Sequence, residues 1–154
     1  VHDFDLRSKA RDYKIVPRGG TALLDAVGGA ITEVGVKLAD LPEHRRPGYV
    51  MVLIVTDGYE NASKEYKKPQ IKKMIEHQQD KYGWRFTYLG ANQDAFAEAT
   101  SIGIASPSVL SWIGNTRSVN ATYDILSTSV SLGTVSTSTG IYYTDGQRVA
   151  AAGV

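Results

Sequence analysis

A run of six apolar residues, 50–55, constrains the fold of this chain more than any other feature. It reads Val-Met-Val-Leu-Ile-Val and stops abruptly at Thr56, Asp57 and Gly58. A short apolar run that is rich in β-branched residues and bounded by a turn signal is typical of a strand buried on both faces, as in a parallel sheet. We therefore predict a central strand over residues 50–56, with helices covering both faces of the sheet.

The predicted strand gives Asp57 a special position. In open α/β sheets, ligands bind beyond the carboxyl ends of the strands, so Asp57 would lie where such a fold places its chemistry. The alternative is that Asp57 only caps the next helix, because aspartate is a favoured N-cap residue. For an isolated strand followed by Asp-Gly, the capping role is the more common of the two, since both residues are frequent in turns.

A second element lies upstream, where two glycines precede a helical pattern. Residues 18–26 read Arg-Gly-Gly-Thr-Ala-Leu-Leu-Asp-Ala. Gly19 and Gly20 allow the backbone to approach a ligand closely, and Thr21 presents a hydroxyl group at the start of the helix. The apolar residues that follow are spaced by three or four, as on one face of a helix; they are Leu23, Val27, Ile31, Val34 and Leu38.

Together the two elements resemble the von Willebrand factor A family, which combines a Gly-Gly-Thr loop before a helix with an apolar strand ending in Thr-Asp-Gly. A third segment, 86–96, reads Phe-Thr-Tyr-Leu-Gly-Ala-Asn-Gln-Asp-Ala-Phe and resembles a strand-to-helix segment of bacterial and phage members. The resemblance extends over residues 15–130. It implies an α/β fold with a doubly wound, mostly parallel sheet and, by analogy, a bacterial or phage setting.

The resemblance also implies a metal-ion-dependent adhesion site. It implies that Thr21 ligates the metal through its hydroxyl group and that Asp57 acts mainly through water. Oxygen donors of this kind suit magnesium or manganese, and an acidic residue of a partner protein would complete the shell. The residues that would support the site are Gly19, Gly20, Gly58 and Asp25. Asp25 has an alternative role, because a negative charge one turn into a helix is favoured by the helix dipole.

One motif of the family is missing. Its first metal loop reads Asp-x-Ser-x-Ser, and no such motif occurs in this sequence. It would lie upstream of Gly19, but only residues 1–18 precede that loop, and the chain begins with Val1. We therefore expect an N-terminally incomplete domain that binds metal only where the first loop is supplied. Expressed alone, the chain is expected to aggregate or to recruit a partner chain, because an incomplete sheet exposes an apolar edge.

The rest of the sequence alternates between helix and strand signals, which is typical of βαβ units. We predict a helix over 69–82, a strand over 84–89, a short helix over 94–101 and a strand over 109–113. A final helix is marked by Val119, Tyr123, Leu126 and Val130. The predicted domain covers 1–132. The remaining 133–154 are rich in Ser, Thr and Gly, so we predict a weakly structured tail with a hairpin around Thr144–Gln147.

Composition and motifs argue against several classes of function. The net charge of +1 gives no field that would recruit nucleic acid or a membrane, and a chain without cysteine has no thiolate nucleophile or zinc–thiolate site. The sequence contains neither a Gly-x-Ser-x-Gly motif nor a Walker motif. The three histidines are scattered, and the lysines at 64, 67, 68, 72 and 73 are typical of a solvated helix face. We expect Asn92–Asp94 to cap a helix.

The sequence thus predicts a non-enzymatic, metal-dependent module for adhesion or assembly that binds an acidic protein ligand. It predicts no nucleic-acid or membrane partner, and it allows a homo- or hetero-oligomer. Two alternatives remain open: a structural protein that kept the fold and lost the metal, and an accessory subunit of an ATP-driven machine such as a metal chelatase. The localisation is not fixed by the sequence, although a cytoplasmic or virion-associated setting is favoured.

Overall fold

A parallel three-stranded sheet is the centre of the molecule. The computed structural model of the chain describes residues 19–48, 50–91, 94–113, 115–131 and 141–153. Within these ranges the strands are β1 (Met51–Thr56), β2 (Arg85–Ala91) and β3 (Val109–Trp112), arranged in sequence order. Met51 pairs with Arg85, and Tyr88 pairs with Val109, in parallel registers. The predicted α/β class with parallel strands is confirmed.

Helices precede, connect and follow the strands. They are α1 (Leu23–Ala39), α2 (Lys68–Tyr82), α3 (Ala95–Ser101), α4 (Thr116–Ser131) and α5 (Asp145–Ala151), with short 3-10 turns at Glu43–Arg45 and Ser106–Ser108. The predicted helices over 69–82 and 94–101 are confirmed, and element ends differ only by the one or two residues that are normal for such boundaries. Among the described helices, none combines the length and apolar character that a membrane span requires.

Apolar side chains are packed on both faces of the sheet. Because side chains alternate along a strand, Phe86 and Tyr88 point to one face and Leu89 points to the other. The first core cluster, beside α1, α2 and α3, includes Leu23, Val27, Ile31, Ile54, Ile71, Ile75, Phe86 and Tyr88. The second core cluster, beside α4 and α5, includes Leu89, Leu110, Leu126, Ile141, Tyr143 and Ala151. The apolar stripe predicted for α1 faces the first core cluster, as expected.

β1 is less covered than the sequence predicts. It lies at an edge of the described sheet, and its Leu53 and Val55 side chains are 39% and 44% exposed. Its other face is packed, since Ile54 belongs to the first core cluster. The prediction of a central strand covered on both faces is therefore wrong for β1 within the described ranges. β2 takes that place instead, and residues 86–91 are all buried because a strand lies on each side.

The end of the chain also differs from the prediction. Instead of a hairpin around Thr144–Gln147, the structure has helix α5, which begins with a capping box. The Thr144 hydroxyl accepts the Gln147 N–H, and the Gln147 side chain accepts the Thr144 N–H. Ile141 and Tyr143 are buried in the second core cluster. The hairpin and the weakly structured tail are therefore wrong for residues 141–153. The predicted domain boundary, between residues 132 and 133, lies outside the described ranges.

Candidate functional site

Two loops meet at the carboxyl end of β1. Thr21 lies just before α1, and the turn of Asp57 and Gly58 lies just after β1. A Cβ atom built on Gly58 would lie 3.0 Å from the Oγ1 atom of Thr21. The fold therefore places the threonine hydroxyl directly against the Asp-Gly turn, and the family resemblance implies that these two loops lie together.

The backbone of Thr21 is held by hydrogen bonds, whereas its hydroxyl group has no partner among the described residues. The Thr21 N–H donates to the Asn61 side-chain oxygen at 2.9 Å. The Thr21 carbonyl accepts the N–H groups of Asn61 and Ala62 at 3.1 and 3.2 Å. The Oγ1 atom makes no hydrogen bond to any residue that the structure describes. It is therefore a positioned oxygen donor with lone pairs available to a ligand.

A local turn directs Asp57 outward. The Thr56 hydroxyl donates to the Gly58 carbonyl at 2.9 Å and accepts the Gly58 N–H at 3.3 Å, so it closes the turn around Asp57. The Asp57 carboxylate is exposed and forms no hydrogen bond within the described ranges. It does not cap the next helix, because α2 begins only at Lys68 and its N-cap residue is Lys67. The capping interpretation of Asp57 is thus wrong.

Glu60 connects the loop after β1 to the start of α1. The N-cap position of α1 is occupied by Ala22, whose side chain cannot accept a hydrogen bond. The Glu60 carboxylate supplies the missing acceptor: it takes the Leu24 N–H at 2.9 Å and the Ser63 N–H at 2.8 Å. Burial raises the pKa of the Glu60 carboxyl, but hydrogen bonds from Ser63 and Leu24 outweigh it, so this pKa lies below its ordinary value.

Asp25 makes the reciprocal connection from α1 to the loop. Its carboxylate accepts the backbone N–H groups of Lys64, Glu65 and Tyr66 at 2.8 to 3.0 Å. The hydrogen bond from Lys64 is the main reason that the pKa of Asp25 lies below its ordinary value. The side chain of Asp25 therefore holds the loop in place. The alternative role predicted from the sequence, a favourable interaction with the helix dipole, does not account for these three hydrogen bonds.

The glycines of the two loops differ in what they contribute. A Cβ atom on Gly20 would lie 2.9 Å from the Ala62 Cβ atom, so the loops could not approach as closely with a side chain there. Gly58 is similarly restricted by Thr21. Around Gly19, however, nothing lies within 4 Å of such an atom. The close approach therefore requires Gly20 and Gly58, and nothing in the described structure requires Gly19.

Two residues of the site, Glu60 and Asn61, are not anticipated from the sequence. The available signal is Ala22 at the start of α1, because a helix that begins without a capping side chain needs an acceptor from another segment. A neighbouring loop that contains Glu60 and Asn61 can provide it. The sequence does not reveal which loop will be adjacent, since Leu24 and Glu60 are 36 residues apart.

The donor set fits a hard cation only in part. Thr21 and Asp57 offer a hydroxyl and a carboxylate oxygen, the donors that magnesium and manganese prefer. In the described part of the chain, no group of three or more His, Cys, Asp or Glu side chains could hold a metal ion. Two protein donors are thus available at the carboxyl end of β1, and further ligands would have to come from water, a partner or another loop.

The other candidate groups are structural or solvated in this fold. Asp94 accepts the Ala97 N–H at 3.0 Å and so caps α3, as predicted, whereas residues 92–93 lie outside the described ranges. Lys68 is partly buried and forms an ion pair with Glu98 at 2.9 Å. The remaining lysines of the basic stretch are exposed, as expected for a solvated face; they are Lys64, Lys67, Lys72 and Lys73.

Comparisons of the chain with protein-family models, curated proteins and solved structures found no match. A functional interpretation therefore depends on the residues and the geometry of the site. The most specific feature is the Thr21 hydroxyl beside the Asp57–Gly58 turn. Glu60 and Asp25 connect the loop after this turn to the start of α1 at the carboxyl end of a parallel strand.

Proposed function

We propose that this chain is a protein-binding module whose contact with its partner is completed by a divalent cation at Thr21 and Asp57. The proposal is supported above all by the position of the Thr21 hydroxyl, 3.0 Å from where a Gly58 Cβ atom would lie. The two loops that the resemblance to von Willebrand factor A domains assigns to the metal site are therefore neighbours. The helices on both faces of the parallel sheet are compatible with the doubly wound architecture proposed for the domain.

The chemistry of these donors suits binding without catalysis. A hydroxyl group is neutral, so Thr21 and Asp57 together contribute a single negative charge. Magnesium prefers six oxygen ligands and retains several waters. Because Thr21 and Asp57 neutralise only one of its two positive charges, the ion would remain electrophilic. An acidic side chain of a partner protein could then replace one water. No covalent bond is made or broken, and specificity comes from the geometry around the ion.

The proposed site depends on a third loop. The resemblance implies that direct ligands also come from an Asp-x-Ser-x-Ser loop, and this sequence does not contain one. We therefore expect residues 1–154 to bind magnesium weakly, and tight binding only with that loop supplied. Tight magnesium binding by residues 1–154 alone would mean that the chain carries a different, complete site.

A purely structural role is the second candidate, and one observation favours it. The loop after β1 is fixed to α1 by protein groups alone, through Asn61, Glu60 and Asp25. These contacts hold the Thr21 backbone and the loop after β1 in place. A chain that kept this fold without binding a cation would look the same at these residues, so binding measurements have to separate the two candidates.

The test is thermal unfolding with and without magnesium or manganese, made on the chain with an Asp-x-Ser-x-Ser loop supplied at its N-terminus. A cation that binds only the folded state stabilises it by about 2.7 kcal/mol at a concentration of 100 times Kd. We expect Asp57→Ala to abolish this gain. Thr21→Ala should weaken partner binding more than it lowers the stability of the fold. Asp25→Ala should reduce the gain of stability in magnesium by less than Asp57→Ala does. Unchanged stability in magnesium, with partner binding retained, would favour the structural candidate.

A further inference from the structure

A cavity lies at the opposite end of the sheet from Thr21 and Asp57. It has a volume of about 360 Å³ and is bounded by the ends of α1 and α2 and by Val50 and Trp84, the residues that directly precede β1 and β2. It continues between the two helices into a groove of about 480 Å³, and Gly35 and His77 line both. Volumes of this size are typical of small-molecule sites.

Aromatic side chains form one wall of this cavity. The Trp84 side chain belongs to the first core cluster and is only 4% exposed. Tyr82 also lines the cavity and is 55% exposed, and its ring makes an edge-to-face contact with the His77 ring at 5.6 Å between ring centroids. A planar ring in the cavity could therefore contact the indole and the Tyr82 ring, and such aromatic contacts favour an aromatic ligand.

An anchored guanidinium lies beside these rings. The Arg46 Nε atom donates to the Leu41 carbonyl at 3.0 Å, and its Nη2 atom donates to the Ala39 carbonyl at 3.2 Å. The Nη1 atom makes no hydrogen bond to any described residue. Because the side chain is already held in one orientation, an anion that binds it costs little additional ordering.

The charges that line the cavity have one sign. Arg46 and Lys73 are the cationic side chains among the described residues that line the cavity and the adjoining groove, and the other ionisable ones are His77 and Tyr82. None of the described lining residues is an aspartate or a glutamate. A carboxylate on the ligand would meet Arg46 without a competing negative charge, and it could form two parallel hydrogen bonds with the guanidinium.

We propose that this cavity binds a small planar aromatic carboxylate, with its ring against Trp84 and Tyr82 and its carboxylate on Arg46. The site is independent of the metal site, since it lies at the amino ends of the strands and shares none of the Thr21, Asp57, Glu60 or Asp25 side chains. Its occupant would be a free small molecule. The aromatic lining suits one ring system, and the single anchored guanidinium of Arg46 suits one acidic group.

The probe is 2-naphthoate, titrated into the chain, with the neutral 2-naphthylmethanol as the matched ligand. We expect saturable binding, with naphthoate about tenfold tighter than the alcohol, since one charge-assisted hydrogen-bonded pair contributes about that factor. The chain has two tryptophans, and their indole N–H resonances locate the ligand. The Trp84 signal should shift, and the signal of Trp112, which packs against the second core cluster, should not.

Variants on α1 and at Arg46 test whether naphthoate binds in this cavity and whether Arg46 recognises its carboxylate. A Cβ atom on Gly35 or on Gly29 would have nothing within 4 Å, so both positions tolerate a side chain, but only Gly35 lines the cavity. Gly35→Leu should abolish naphthoate binding, and Gly29→Leu should retain it. Arg46→Gln should remove the preference for naphthoate over the alcohol. Thermal unfolding of each variant confirms that it is folded, and Gly35→Val replaces Gly35→Leu if the latter is not.

Three results would overturn the proposal. The first is the lack of saturable naphthoate binding by the unmodified chain. The second is binding that survives in a folded Gly35 variant, which would place the ligand elsewhere on the surface. The third is a preference for naphthoate that persists in Arg46→Gln, because the guanidinium would then not be the group that recognises the carboxylate.

Discussion

Asp25 and Glu60 hold the same loop against the same helix from opposite directions. Asp25, on α1, accepts three N–H groups of the loop, and Glu60, on the loop, accepts the N–H of Leu24 at the start of α1. Each carboxylate satisfies backbone donors that would otherwise lack a partner. The loop and the helix start therefore form one unit, and this unit fixes the Thr21 hydroxyl beside the Asp57–Gly58 turn.

This arrangement predicts a loss of stability in acid. The pKa values of Asp25 and Glu60 lie below their ordinary values in the folded chain. A lowered pKa contributes stability that is fully present above the unfolded-state pKa and is lost as the pH falls through the folded-state pKa. The free energy of unfolding should be constant above about pH 5.5 and should fall below about pH 4. Urea denaturation as a function of pH measures it.

The control for the acid prediction is another carboxylate on α1. Hydrogen bonding to Lys37 lowers the pKa of Glu33, but this pair is exposed, so solvent screens it. Asp25→Asn combined with Glu60→Gln should flatten the pH dependence, and Glu33→Gln should leave it nearly unchanged. A double variant that loses stability in acid as steeply as the parent chain would contradict the role given to the two carboxylates.

Neighbouring glycines on α1 should respond oppositely to alanine. A Cβ atom on Gly28 would lie 2.6 Å from the Tyr66 ring, whereas one on Gly29 would meet nothing. Gly29→Ala should stabilise the chain by about 0.5–1 kcal/mol, because alanine favours helix. Gly28→Ala should destabilise it by roughly 1–3 kcal/mol through overpacking. Chemical denaturation compares the two, and in a Tyr66→Ala background the Gly28→Ala penalty should disappear.

Local sequence patterns predicted most of the fold. The spacing of Leu23, Val27 and Ile31 identified the buried face of α1, and Gly83 ends α2 in the left-handed conformation with φ of 64°, as expected of a terminal glycine. The uncovered face of β1 could not be predicted in this way. An apolar run shows that Leu53 and Val55 favour burial, but not which segment of the chain would cover them.

The errors and omissions arise where a local signal competes with a distant contact. Asp145-Gly146 favours a hairpin turn, but Thr144 and Gln147 also match a capping box. The helix prevails because residues 141–151 can bury Ile141 and Tyr143 against the sheet. The juxtaposition of Thr21 with Gly58 was predicted from a resemblance, whereas the contact of Glu60 with Leu24 depends on which loop the fold brings to α1.

Arg148 should be essential for the attachment of α5. Its guanidinium donates to the carbonyls of Val109, Ser106 and Pro107 at 3.0 to 3.1 Å and lies 5.3 Å above the Phe96 ring. Arg148→Lys keeps the charge but loses the planar fork, so we expect a loss of about 1–3 kcal/mol. Hydrogen exchange of the α5 amides measures this loss locally.

The matched control for Arg148 is Arg117 on α4, which is exposed and makes no hydrogen bond to a described residue. Arg117→Lys should change the free energy of unfolding by less than about 0.5 kcal/mol. Equal protection of α5 in Arg148→Lys and in the parent chain would show that apolar packing of Ile141, Tyr143 and Ala151 is sufficient to hold this segment.

Terbium luminescence tests the proposed cation site most directly. Terbium is a hard, oxygen-binding ion, and Tyr59, 57% exposed and two residues from Asp57, can sensitise its emission. The protein is again the chain with an Asp-x-Ser-x-Ser loop supplied at its N-terminus. We predict a saturable signal that magnesium reverses, that Asp57→Ala abolishes and that Thr21→Ala weakens, whereas Tyr59→Phe dims it without changing the magnesium competition. A signal that survives in Asp57→Ala, or no saturable signal in the parent protein, would contradict the proposal.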